Sequence, residues 1–129
     1  MKALNQKSTK IFNDIVSDLN TSKTHKKIDN SKSFIPLSVE KLSTYDVGTM
    51  YSFAHYFNQN GDMCQDPEMC FIKTKLGKVY PCMFQQAIPP IYQESIFFDN
   101  GWKCKTKMQK DHTQFANMWL INIKEQQGL

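Results

Sequence analysis

Apolar residues near the start of the chain recur with a helical period. Ile11, Phe12, Ile15, Val16 and Leu19 share one face, Leu4 extends it by two turns, and Lys7, Lys10, Asn13, Asp14 and Asp18 cover the remainder. The spacing predicts a helix over about residues 2–19. Its polar side mixes acids with lysines and its apolar side has no tryptophan, so it suits packing on a core rather than lying on a membrane. Residues 21–33 carry Lys23, Lys26, Lys27 and Lys32 among serines, threonines and Asn30, and read as a solvated connector. Beyond it the period changes to two. Ile35, Leu37 and Val39 alternate with Pro36, Ser38 and Glu40, which predicts a half-buried strand with Pro36 at its beginning or on an edge.

Met50–Phe57, rich in aromatics, reads as a second strand, and Asn58–Pro67 as a loop containing the turn pairs Asn60-Gly61 and Asp66-Pro67. Met69–Thr74 and Val79–Gln85 flank Leu76-Gly77-Lys78 as a hairpin, and Ile91–Phe98 makes a fifth strand after Pro89-Pro90. From Lys107 to Gln126 the helical period returns, with Met108, His112, Phe115, Ala116, Trp119, Leu120 and Ile123 on one face. The order helix, five strands, helix predicts an α+β fold. Short links between neighbouring strands favour a five-stranded, mainly antiparallel meander, packed by the N-terminal and C-terminal helices. The organisation is that of a single domain over residues 1–129: helix 1–20, connector 21–33, and sheet plus closing helix 34–129.

Composition narrows the class. A chain of 129 residues, 40% hydrophobic, buries roughly two-thirds of its extended surface on folding, enough for one core without staples. Apolar stretches such as Ile35-Pro36-Leu37 and Ser95-Ile96-Phe97-Phe98 fall far short of the ~20 residues a membrane helix needs. The chain turns polar at Lys2 and offers no apolar signal core. Cys64, Cys70, Cys82 and Cys104 form no C-x-x-C pair and read as reduced thiols, so the expected compartment is the cytoplasm and no membrane is involved. The net charge is +4 and every basic residue is lysine. Without arginine's bidentate fork, sequence-specific duplex recognition is disfavoured.

The densest group of chemically capable residues is His55 with Asn60, Gly61, Asp62, Asp66 and Glu68. A histidine beside three carboxylates suits a divalent metal or general acid–base work, which makes a metal-dependent hydrolase or nuclease an alternative function. The simpler reading gives Asp62 and Asp66 ordinary turn duties, capping backbone donors. Alternation would put His55 on the face of Tyr51 and Phe53, in an aromatic neighbourhood where a hydrogen-bonded histidine is commoner than a catalyst. Cys64 lies near His55 in sequence, but no third group orients the pair. G-x-S-x-G, Walker, G-x-G-x-x-G and H-E-x-x-H signatures are absent, so no catalytic residue, cofactor or metal ligand is assigned. A second alternative is single-stranded nucleic acid, stacked on Tyr51, Phe53, Tyr56, Phe57, Tyr80 and Phe84 and tracked by Lys73, Lys75, Lys103, Lys105 and Lys107. Nucleic acid is not the favoured partner at this modest charge.

The string His55-Tyr56-Phe57-Asn58-Gln59-Asn60-Gly61-Asp62, followed by Asp66-Pro67-Glu68-Met69, resembles an uncharacterised domain family of bacterial conjugative elements and phages, whose members often read H-Y-Y-x-Q-N-G-D and then D-P-x-M. Phe115-Ala116-Asn117-Met118-Trp119-Leu120, with Asn122-Ile123 and Gln126-Gln127, is similar to that family's terminal helix, and Pro36-Leu37-Ser38-Val39-Glu40 to its entry strand. The resemblance covers roughly residues 34–129, and Phe57 stands where tyrosine is common. It implies a small cytoplasmic accessory protein of a mobile element, of uncharacterised function. The expected role is a non-enzymatic module that binds a host or element-encoded protein through one sheet face and the loop of residues 58–68.

Overall fold

The computed structural model describes residues 1–129, apart from the side chain of Gln59. The elements run α1 (Gln6–Val16), β1 (His25–Ile28), β2 (Leu37–Tyr45), β3 (Gly48–Gln59), β4 (Asp62–Lys73), β5 (Val79–Gln86), β6 (Ile91–Glu94), β7 (Ile96–Phe98), β8 (Trp102–Cys104) and α2 (Thr106–Gln127). β1 to β6 form one antiparallel meander in chain order, and β7 and β8 form a separate hairpin. The α+β class and both terminal helices agree with the sequence reading, but the main sheet has six strands rather than five.

Three local differences separate the structure from that reading, the first of which adds the sixth strand. The lysine-rich connector contains β1, which pairs with β2 from His25↔Glu40 to Ile28↔Leu37 and turns Ile28 into the core. The predicted fifth strand breaks at Ser95 into β6, which continues the sheet, and β7, which leaves it. Asn58–Pro67 is no loop. Asn60 and Gly61, at φ of 53° and 88°, make a two-residue turn of the kind whose twist suits a tight hairpin, and the flanking residues pair from Gln59↔Asp62 onward.

One face of the sheet holds the larger core. Leu37, Val39, Tyr51, Phe53, Met69, Phe71 and Val79 meet Ile11, Phe12, Ile15 and Val16 of α1 and Ala116, Trp119, Leu120 and Ile123 of α2. Phe12 is the keystone, fully buried and stacked on Phe53 with ring centroids 5.2 Å apart and planes at 15°. Asn5 caps α1 by accepting from the Ser8 N–H at 2.8 Å, which satisfies one of the orphan donors of the first turn. The opposite face is covered only at one end. There the β7–β8 hairpin lays Ile96 over Cys70, Ile72 and Cys82, with Trp102, Cys104, Met50 and Tyr80 around them.

Candidate functional site

The six residues singled out by sequence do not converge. His55 follows Tyr51 and Phe53 onto the helix-covered face, opposite Leu37, and meets the Trp119 ring edge-on at 5.5 Å between centroids. Glu68 sits opposite Ala54 on the other face, where its Oε2 accepts from the Ser52 hydroxyl at 2.6 Å. The sheet therefore separates His55 from Glu68, because adjacent strand positions alternate across the pleat. Asn60 and Gly61 occupy the hairpin turn, where the Gly61 N–H donates to Asn58 Oδ1 at 3.1 Å, and Asp62 opens β4. Asp66 lies at a register shift between Ala54 and Tyr56, close enough for its charge to oppose the effect of burial on His55. Burial dominates and holds the His55 pKa below the usual imidazole value. Among the described residues no group of three or more His, Cys, Asp or Glu side chains is placed to hold a metal ion. Cys64 faces Phe57 across the hairpin, and its thiol donates to the Asp62 carbonyl at 4.0 Å.

β3 and β4 run past their neighbours. β2 pairing stops at Leu37↔His55 and the β5 ladder at Glu68↔Gln85, so residues 56–65 pair chiefly with each other as a two-stranded ribbon. Met63, 65% exposed, stands near its tip. The polar run that reads as a loop is thus the free end of a hairpin.

The face without helices carries two cross-strand rows. One reads Glu40, Ser52, Cys70, Met83, Glu94, and the next Ser38, Ala54, Glu68, Gln85, Tyr92. Among the described residues, the register places no lysine on this side of β3 to β6, while on the β1 edge Lys27 stands opposite Ser38 and His25 opposite Glu40. Three carboxylates from three strands act on the same neighbourhood. Burial, then Glu68, and more weakly Glu40 and Glu94, push the Cys70 thiol up to about 12. The Tyr92 hydroxyl donates to Glu94, which with partial burial raises its pKa to about 12. A sheet surface for bases and phosphates is not assembled here. Tyr51 and Phe53 point into the core, Phe84 packs against it, Tyr56 stands near Glu68 and Glu40, and Tyr80 is packed under the β7–β8 hairpin beside Trp102 and Lys103.

Sequence reasoning missed Ser95–His112–Gln93. Ser95 Oγ lies 2.8 Å from His112 Nδ1, and Gln93 Oε1 lies 3.0 Å from Nε2. An amide oxygen only accepts, so the proton sits on Nε2 and Nδ1 accepts from the serine hydroxyl. The connectivity is that of a nucleophile, base and orienting group. Ser95 is fully buried, however, and the set pins the hairpin and β6 to α2 instead of meeting substrate. No local spacing signals it, since it joins residues 17 apart through the turn of the chain after β8.

A groove of about 270 Å³ opens beside His55, lined by Ser33, Phe34, Ile35, Trp119, Asn122 and Gln126. Three stretches distant in sequence meet there: the segment before β2, the middle of β3 and the last turns of α2. No Asp, Glu or Lys side chain lines it. His55 Nε2 is buried and has no hydrogen-bond partner among the described residues.

A family model described as a domain of unknown function, DUF6908, matches residues 9–129. The chain belongs to that family. The match takes in most of α1, the connector and β1, and so extends well before residue 34, where the sequence resemblance began. No curated protein and no solved structure matches the chain. No helix is long and apolar enough to cross a membrane.

Proposed function

We propose that this DUF6908 protein is a small accessory protein of a mobile element or phage. Its role is that of a non-enzymatic module that docks a basic surface of a host or element-encoded protein on the open face of its sheet. The element context rests on the resemblance carried by His55–Asp62 and Asp66–Met69. The docking reading rests on one observation: a face left uncovered by both helices combines Glu40, Glu68 and Glu94 with Tyr92 and Gln85, against Lys27 at its β1 edge, in a chain whose net charge is +4. Tyrosine and methionine are enriched at protein interfaces, and a carboxylate surface steers a partner of opposite sign. The self-paired ribbon of residues 56–65 borders that face and supplies Met63 as a further contact.

The test places a photo-crosslinking benzoylphenylalanine at Tyr92 on the open face, or at exposed Lys110 of α2, in the native host. The expected outcome is a discrete protein adduct from position 92 only, whose crosslinked peptide is rich in lysine or arginine and whose yield falls with salt. Equal adducts from both positions, no adduct from position 92, or an acidic crosslinked peptide would overturn the proposal.

A further inference from the structure

We infer that the groove beside His55 is a binding site for a small, uncharged, planar ring with adjacent hydrogen-bond donor and acceptor groups, of the nucleobase class. This site lies on the helix-covered side of the sheet and is independent of the docking face. Its chemistry follows from its lining. Asn122 and Gln126 each present a carboxamide, which offers a donor and an acceptor side by side and matches the paired edge of a base. Phe34 and Trp119 provide flat apolar walls. Lysine is absent from the lining, so nothing there favours a phosphate or carboxylate. Burial favours the neutral imidazole of His55, in which one nitrogen donates and the other accepts.

His55 Nε2 gives the groove its reason. A buried polar atom left without a partner destabilises the fold, and such atoms are rare enough to require an explanation. A ligand edge that bonds Nε2 would supply the missing partner. The atom is itself covered, so a ligand that bonds it must displace part of the lining, and the Ser33–Ile35 segment is the part outside any helix or strand. That segment belongs to no strand or helix, leaves Phe34 46% exposed, and is tied to α2 through the Gln127 Nε2 bond to the Ile35 carbonyl at 3.3 Å.

The experiment titrates the full chain with adenosine, guanosine, cytidine and uridine, and separately with adenosine monophosphate, while side-chain nitrogen resonances are followed by NMR. At least one nucleoside should shift His55 Nε2 and the Asn122 and Gln126 amides saturably below about 10 mM, a range suited to a few hydrogen bonds and one ring face. The monophosphate should bind no more tightly than adenosine. His55→Phe should weaken binding at least tenfold, and Asn122→Ala, at an exposed helix position that leaves the fold intact, should weaken it severalfold. Three results would sink the inference: no saturable shift with any nucleoside, shifts unchanged in both variants, or tighter binding of the monophosphate. So would an Nε2 proton that stays ring-shifted over Trp119 throughout the titration, since the indole face would then be its partner.

Discussion

Ser95 and His112 are joined by a 2.8 Å hydrogen bond that ties the β6–β7 junction to the second turn of α2, with the Phe84 ring lying 6.1 Å from the imidazole. The bond uses the neutral imidazole, and burial holds the His112 pKa below its ordinary value. His55 is shifted in the same direction for the same reason. A histidine whose folded pKa is depressed contributes stability that is complete above its unfolded value of about 6.5 and is lost as the pH falls through the folded value. The melting temperature should therefore decline on acidification from pH 7.5 to 5. The decline should be shallower in His112→Gln and shallower again when His55 is also replaced. A melting temperature that rises over this range would contradict the account.

Gly48 opens β3 at φ 151°, and a Cβ there would stand 2.3 Å from the Lys73 carbonyl oxygen, a backbone atom held in the ladder. Gly48→Ala should cost on the order of 3 kcal/mol, since both the backbone conformation and the neighbouring strand resist it. Gly61 has positive φ but open space around it, so Gly61→Ala should cost about 1 kcal/mol from conformation alone. Urea denaturation of the two variants checks the order. Equal losses would mean that the close approach at Lys73 relaxes freely.

Phe12→Ala removes the ring that contacts Tyr51, Phe53 and Phe71 at once, with centroids 5.2–5.5 Å away. The expected loss is about 3 to 5 kcal/mol by chemical denaturation, the range for emptying a large aromatic site in a packed core. A loss below about 1.5 kcal/mol would show that α1 adds little to the core and docks only loosely.

Gln109, fully buried, accepts from the Lys2 N–H at 2.6 Å and donates to the Lys2 and Pro81 carbonyls and to Thr113 Oγ1. Through it α2 holds the N-terminal segment, whose Leu4 N–H also reaches the Val79 carbonyl at 2.8 Å. Gln109→Leu strands several buried backbone groups and should cost on the order of 3 kcal/mol. Hydrogen exchange should accelerate first at Lys2 and Leu4, before the β3–β4 ladder responds.

All four cysteines are free, two buried and two half-exposed. Burial pushes the Cys82 thiol well up, as it does Cys70. At pH 8 a disulfide reagent should modify Cys64 and Cys104 in the native protein, and Cys70 and Cys82 only on unfolding, because reaction requires the thiolate and access to it. Four equally fast thiols would place Cys70 and Cys82 at the surface.

Both helices are legible because their apolar faces repeat over several turns. The β4–β5 hairpin is legible because two apolar runs flank Leu76-Gly77-Lys78. β1 is not. It is four residues long with two lysines, the composition that keeps an edge strand soluble, and only Ile28 reaches the core. Asp62–Glu68 carries no alternation because most of it lies in the ribbon, which is wet on both sides. His55 was found on the face that alternation assigns, beside aromatic rings but without the expected hydrogen bond at Nε2. The Ser95–His112 pair and the His55 groove left no trace in any local spacing.

What the residues determined by themselves is which ones turn inward, since the periods of 3.6 and 2 are properties of the chain's own geometry. Helix packing on one face of a meander follows from that pattern. Tertiary structure alone decided the strand count, the separation of His55 from Glu68 by a full thickness of sheet, and the meeting of Ile35, His55 and Asn122 around one groove. Those outcomes depend on cross-strand register and on bulges such as those at Ala54/Tyr56 and Cys70/Phe71. Register is fixed by partners far away in sequence, and a shift of one residue exchanges the two faces.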